Sequence, residues 1–150
     1  MLAALLPLLA FSGQSCKKTE PLTAMSFNVR YGGAKDGDNS WEFRKDAACA
    51  MINDVHPAVF GVQEAMDFQL AYFEEHCPGY KWVGVGREDG LHEGEHMSVF
   101  YDTDRIELRE WGTYWLSETP FQPSLGFICL LSLSWNCMSC TWNDFLMTDS

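Results

Sequence analysis

A mixed α and β domain is predicted by three observations. Two short segments, residues 25–33 (MSFNVRYGG) and residues 61–65 (GVQEA), each read as a strand that ends in a polar residue. Stretches with helical spacing follow each of them. The chain then runs into strands joined by short turns, as in an antiparallel sheet.

The elements can be justified in order. From Thr23 to Arg30 the residues alternate, with Met25, Phe27 and Val29 on one face and Ala24, Ser26, Asn28 and Arg30 on the other. Asn28 sits near the strand end, where one reading makes it the opener of the turn at Gly32-Gly33 and the other gives it a chemical role. Asn39, with Glu42 three residues on, predicts a capping box and a helix start. The helix spans Trp41 to Val55, with Ala47, Ala48, Met51, Ile52 and Val55 expected to face inward, and Pro57 bars its continuation. Ala58 to Val62 is a continuous apolar run, typical of a strand buried on both faces. Gln63-Glu64 follows at once. A carboxylate there is costly unless paired or bound to metal, or it stands in the first turn of the next helix, at the favourable end of its dipole. Residues 66–76 suit that second helix, and Cys77-Pro78-Gly79 ends it. Strands are expected at residues 80–86 and 98–101, and a long amphipathic strand or a bent pair at 106–116. If the first two strands lie side by side, Asn28 and Glu64 meet at one sheet edge. A carboxamide and a carboxylate there suit a hard, oxygen-seeking cation such as magnesium.

Two cysteine- and histidine-bearing motifs offer other chemistry. His92-Glu93-Gly94-Glu95-His96 matches H-E-x-x-H, so a zinc protease on His92 and His96 is an alternative. Gly94 weakens a helix there, Asp89-Gly90 marks a turn, and a strand follows, which favours an acidic hairpin loop. Cys137-Met138-Ser139-Cys140 has C-x-x-C spacing but no second pair to complete a zinc site. Cys49 and Cys77 could pair, or stay as buried thiols.

The ends differ from the middle. Leu2 to Phe11 has the length of a signal-peptide apolar region, although no Lys or Arg precedes it. Cys16, followed by Lys17-Lys18, looks like a lipoprotein cleavage site leading into a polar tether. Gly13-Gln14-Ser15 departs from the usual pattern, and a plain secretory leader is the alternative. Residues 1–21 are thus expected to be leader and tether, and the protein exported, secreted or held on the cell envelope. Residues 125–150 contain no Lys or Arg but three of the six cysteines and two of the six tryptophans. No helical or strand period is evident in them, which suggests translation in a shifted frame or an unusual extension.

The ordered set MSFNVRYGG, DNSWEFRKDAACAMI, HPAVFGVQEA, YKWVGVGREDG, SVFYDTDRIEL and WLSETP resembles the endonuclease/exonuclease/phosphatase family of metal-dependent phosphoesterases. It covers residues 22–124. The resemblance implies a deoxyribonuclease-I-like four-layer α/β/β/α sandwich, of which this chain would hold the N-terminal half, with one sheet face left without its partner sheet. It implies that Asn28 is an active-site polar residue and Glu64 a ligand carboxylate for Mg²⁺ or Mn²⁺. It also places Glu95 at the site rim. The family's later motifs, an Asn-x-His or Asp-x-Asn strand end and a terminal Asp-His pair, do not occur, so the chain as given is expected to be a truncated, nearly inactive phosphoesterase. A non-catalytic fragment or binding module is the alternative.

Charge bears on the substrate. Ten basic residues face 21 acidic ones, for a formal net charge of −11. No basic stripe meets a phosphate backbone. A small phosphoester, a sugar phosphate or a lipid head group is therefore favoured over DNA.

Overall fold

The computed structural model describes residues 21–135 and the strand backbone at 145–148. The expected leader, Cys16 and the C-x-x-C motif at Cys137 and Cys140 lie outside the described residues. No helix among those described is long and apolar enough to cross a membrane.

The chain enters through β1 (Ala24–Asn28), turns through a short 3-10 segment (Gly37–Asn39) and forms α1 (Trp41–Val55). Strand β2 (Val59–Ala65), α2 (Asp67–His76), β3 (Tyr80–Val83), β4 (His96–Asp102) and β5 (Ile106–Trp115) follow, then β6 (Phe127–Trp135) and β7 (Phe145–Thr148). One sheet has the order β1-β2-β4-β3, and a second has the order β5-β6-β7. β1 runs parallel to β2, and β2 and β3 run antiparallel to β4. All pairs of the second sheet are antiparallel.

Why these layers form follows from the alternation along each strand. Phe60, Val62 and Phe100 point to one face, where they share a core with Trp41, Ala48, Cys49 and Ile52 of α1 and Leu70 and Phe73 of α2. Phe60 stacks on Phe100 at 4.6 Å between ring centres, and Phe73 meets both edge-on. Offset and edge-to-face aromatic pairs add to simple burial. Val59, Val99 and Tyr101 point to the opposite face, where they pack on Ile106, Cys129 and Leu131 of the second sheet. The first sheet is thus enclosed by helices on one side and a sheet on the other: three of the four layers expected.

Three expectations need correction. The first sheet does not stand without a partner, because β5-β6-β7 covers its free face. The segment read as aperiodic contains β6. Phe127, Cys129 and Leu131 alternate inward, but Ile128 and Leu130 between them are apolar too, and this masks the period. The inner face of α1 is Trp41, Ala48, Cys49 and Ile52, whereas Ala47, Met51 and Val55 are exposed. Helix α1 carries apolar residues around much of its circumference, so spacing alone does not select the stripe.

Helix ends also differ in detail. Ser40, not Asn39, is the N-cap of α1; its side chain donates to the Gly37 carbonyl rather than capping the helix. His56 closes α1 in the left-handed region at φ 45°, a place usually taken by glycine or asparagine. Arg105 donates to the His56 carbonyl at 2.8 Å and to the buried Asp102 carboxylate at 2.5 Å, tying this corner to β4.

Candidate active site

The parallel register of β1 and β2 sets Asn28 opposite Gln63, so both strands bring their carboxyl ends to one edge. Ligands bind at such ends in open α/β sheets. Beyond Val62 the β2–β4 register shifts, and Glu64 takes φ 56°. A left-handed non-glycine residue costs of order 1–3 kcal/mol and persists only where its surroundings hold it. Here they do. Asn28 Nδ2 donates to Glu64 Oε1 at 2.8 Å, and the Tyr31 backbone N–H donates to Glu64 Oε2 at 3.2 Å. Asn28 Oδ1 in turn accepts the Arg30 backbone N–H at 2.9 Å. Each oxygen of the carboxylate thereby has a fixed donor, and the amide of Asn28 is oriented by both its ends.

The segment after β1 is held from behind by Gln69, which the sequence reading did not single out. Gln69 is fully buried. Its Nε2 donates to the Arg30 carbonyl at 3.2 Å, and its Oε1 accepts the Met66 N–H at 3.0 Å. The start of α2 and the Arg30–Tyr31 backbone are thus joined by one side chain. Gly32 passes so close to this helix that a Cβ would lie 2.5 Å from Phe68 and 2.6 Å from Gln69. Arg30, also left-handed at φ 64°, sends its guanidinium to Asp36 in a forked contact of 3.0 and 3.2 Å. The Arg30 guanidinium holds the Asp36 carboxyl below its ordinary range.

A cleft of about 590 Å³ opens beside this edge. Tyr31 and Met66 form one side, and Arg87, Glu88, Glu93 and Glu95 the other. Glu95 accordingly lines the cleft, and its carboxylate pairs with Arg87 at 3.2 Å. The cleft wall is a hairpin extension of β3 and β4, stitched by Arg87 N–H to Glu95 O and Glu88 N–H to Glu93 O, both 3.0 Å. Asp89 shapes its tip by accepting backbone N–H groups from Leu91, His92 and Glu93. Desolvation pushes the Asp89 carboxyl up, but those donors outweigh it and hold it below the usual range.

His92 and His96 do not share a helical face. His92 is exposed in the loop, and His96 begins β4, fully buried. Asp67 lies between them, 3.1 Å from His92 Nδ1 and 3.9 Å from His96 Nε2. The H-E-x-x-H match therefore lacks the helix that a zinc protease needs to align its ligands. Among the described residues no group of three or more His, Cys, Asp or Glu side chains is placed to hold a metal. The donor chemistry of Glu64 still fits a hard cation. It offers a half-buried carboxylate with both oxygens oriented, and magnesium commonly uses one or two protein carboxylates with waters and substrate phosphates.

No family model matches the chain, and no curated protein matches it. Solved structures do. The chain is similar to an endonuclease/exonuclease/phosphatase family protein from Bacteroides thetaiotaomicron, with 34% identity and a TM-score of 0.76, covering 83% of this chain and 48% of that one. It is similar to the mannosyl-6-phosphatase of Bacteroides thetaiotaomicron at 32% identity and a TM-score of 0.76, covering 84% and 49%. A Bacteroides vulgatus endonuclease/exonuclease/phosphatase is similar at 27% identity and a TM-score of 0.72, covering 78% and 47%. The chain spans about half the length of the solved structures it matches.

Proposed function

We propose that this chain, a member of the endonuclease/exonuclease/phosphatase family by its fold and its solved relatives, carries the Asn28–Glu64 side of a divalent-cation-assisted phosphoester-hydrolysing site. The observation that supports this reading most is the oriented Glu64 carboxylate at the carboxyl ends of two parallel strands. Glu64 would hold Mg²⁺ or Mn²⁺, with Asn28 fixing the carboxylate and offering a donor toward the phosphate. When bound, such a cation neutralises phosphate oxygens and the leaving group. Asn28, Tyr31 and Gln69 keep the carboxylate in place before substrate arrives, so that little reorganisation is needed.

The substrate favoured is a small phosphoester, such as a sugar phosphate or a lipid head group. Glu88, Glu93 and Glu95 line the cleft, and its one lining arginine, Arg87, is paired with Glu95. A polyanionic duplex would meet like charge there. One solved relative is named a mannosyl-6-phosphatase. The Leu2–Phe11 run and Cys16 support export, with a lipid on Cys16 as the anchor.

Titrating Mg²⁺ into the protein with mannose 6-phosphate, and reading both melting temperature and phosphate release, tests the reading. A Mg²⁺-dependent rise in melting temperature that Glu64→Gln abolishes is expected, with turnover near background because the described residues supply one anchoring carboxylate. A cation response indifferent to Glu64→Gln overturns it.

A further inference from the structure

We propose that Cys49 and Cys77 form a disulfide that staples α1 to the C-terminal end of α2. Both thiols are buried, share one core cluster and are free in this structure. Within that cluster each thiol perturbs the other's titration, as neighbouring groups do. An independent contact fixes the same approach. Asn53 lies one turn beyond Cys49 on α1, hence on the same side of the helix, and its Nδ2 donates to the His76 carbonyl at 3.0 Å. His76 directly precedes Cys77, so successive turns of α1 meet successive residues at the end of α2. Cys129, the third buried thiol among the described residues, belongs to the other core, between the two sheets.

The link would close a loop made of α1, β2 and α2, with Glu64 inside it. It does not depend on the phosphoesterase reading. Formation is an exchange with a low-molecular-weight disulfide such as oxidised glutathione. One cysteine thiolate attacks a glutathione sulfur and releases one glutathione thiolate. The second cysteine thiolate then attacks the mixed disulfide and releases the other. The two protons and two electrons lost by the cysteines appear on two reduced glutathiones. Burial pushes the Cys77 thiol up to about 12 and raises Cys49 as well, so exchange belongs to folding, before the core closes, rather than to the finished protein.

The full chain is refolded in a glutathione redox buffer, alkylated, digested and mapped by mass spectrometry. A peptide pair joined through Cys49 and Cys77, two hydrogen masses lighter than its reduced form, is expected. Reduction should then lower the melting temperature by roughly 5–15 °C. The Cys49→Ser and Cys77→Ser variants should lose that dependence on reductant. Alkylation of both cysteines, or linkage of either to another cysteine, overturns the proposal. The glutathione equilibrium, measured in buffer and again in guanidinium, decides the matter should a variant fail to fold. The link should be at least tenfold harder to reduce in buffer, and an equal value in both overturns the staple.

Discussion

Glu64 holds a backbone angle that an L-residue rarely takes, and three donors and acceptors around it explain why it can. Its unusual position was legible because a carboxylate directly after a buried apolar strand has no packing reason to be there. The same reasoning singled out Asn28, which the fold sets beside Glu64. It missed Gln69, because a glutamine in the first turn of a helix reads as a surface residue, and only the fold reveals that it is buried against Arg30 and Met66. The left-handed turns at Arg30 and Glu64 carry no glycine or asparagine to announce them. Replacing Gln69 by Leu should leave the Met66 N–H and the Arg30 carbonyl without partners, costing about 2–4 kcal/mol of stability by urea denaturation. The cation response of Glu64 should weaken with it, because the Arg30–Tyr31 backbone loses its support. Asn28→Ala should be milder for the fold, about 1 kcal/mol for exposed bonds, and more severe for the cation response than for stability.

Among the elements, β1, α1, β2 and α2 fall close to where periodicity and turn chemistry put them, α1 at Trp41–Val55 itself. Strong local signals account for this: alternation over β1, proline after α1, and Cys-Pro-Gly after α2. The face of α1 was not legible, since packing against Phe73 and Tyr72, not helical spacing, draws Trp41 inward. Strand β6 was hidden for a related reason: both of its faces are apolar, so alternation gives no contrast. Leu131, 3% exposed and packed between the sheets, tests whether residues 127–135 truly belong to the fold. Leu131→Ala should destabilise the chain by about 2–4 kcal/mol. A loss within a few tenths of a kcal/mol would mean that the second sheet does not carry the first.

At the scale of the whole molecule, charge and protonation set the working range. Desolvation raises the Asp102 carboxyl, but Arg105, the Asp104 N–H and His56 outweigh it and hold it below its ordinary range. Asp36 and Asp89 are held low as well. Stability from these groups is present above the unfolded carboxylate value, about 3.9, and is lost as pH falls through their folded values. His96 acts earlier. Burial lowers its pKa, only partly offset by Asp67, so the unfolded chain takes up the proton first as pH drops below about 6.5. Unfolding free energy should therefore decline gently below that pH and steeply once pH falls below about 4. His96→Phe should remove the gentle decline and leave the steep one, as read from urea midpoints across pH. The parallel pairing of β1 with β2 has a consequence in time. Asn28 and Glu64 are 36 residues apart and meet only through that pairing. Parallel partners close slowly compared with helices and the β3–β4 hairpin. Competence to hold a cation should then arise in the slowest phase of refolding, after helical signal has recovered, and a stopped-flow cation indicator run beside circular dichroism would show the lag.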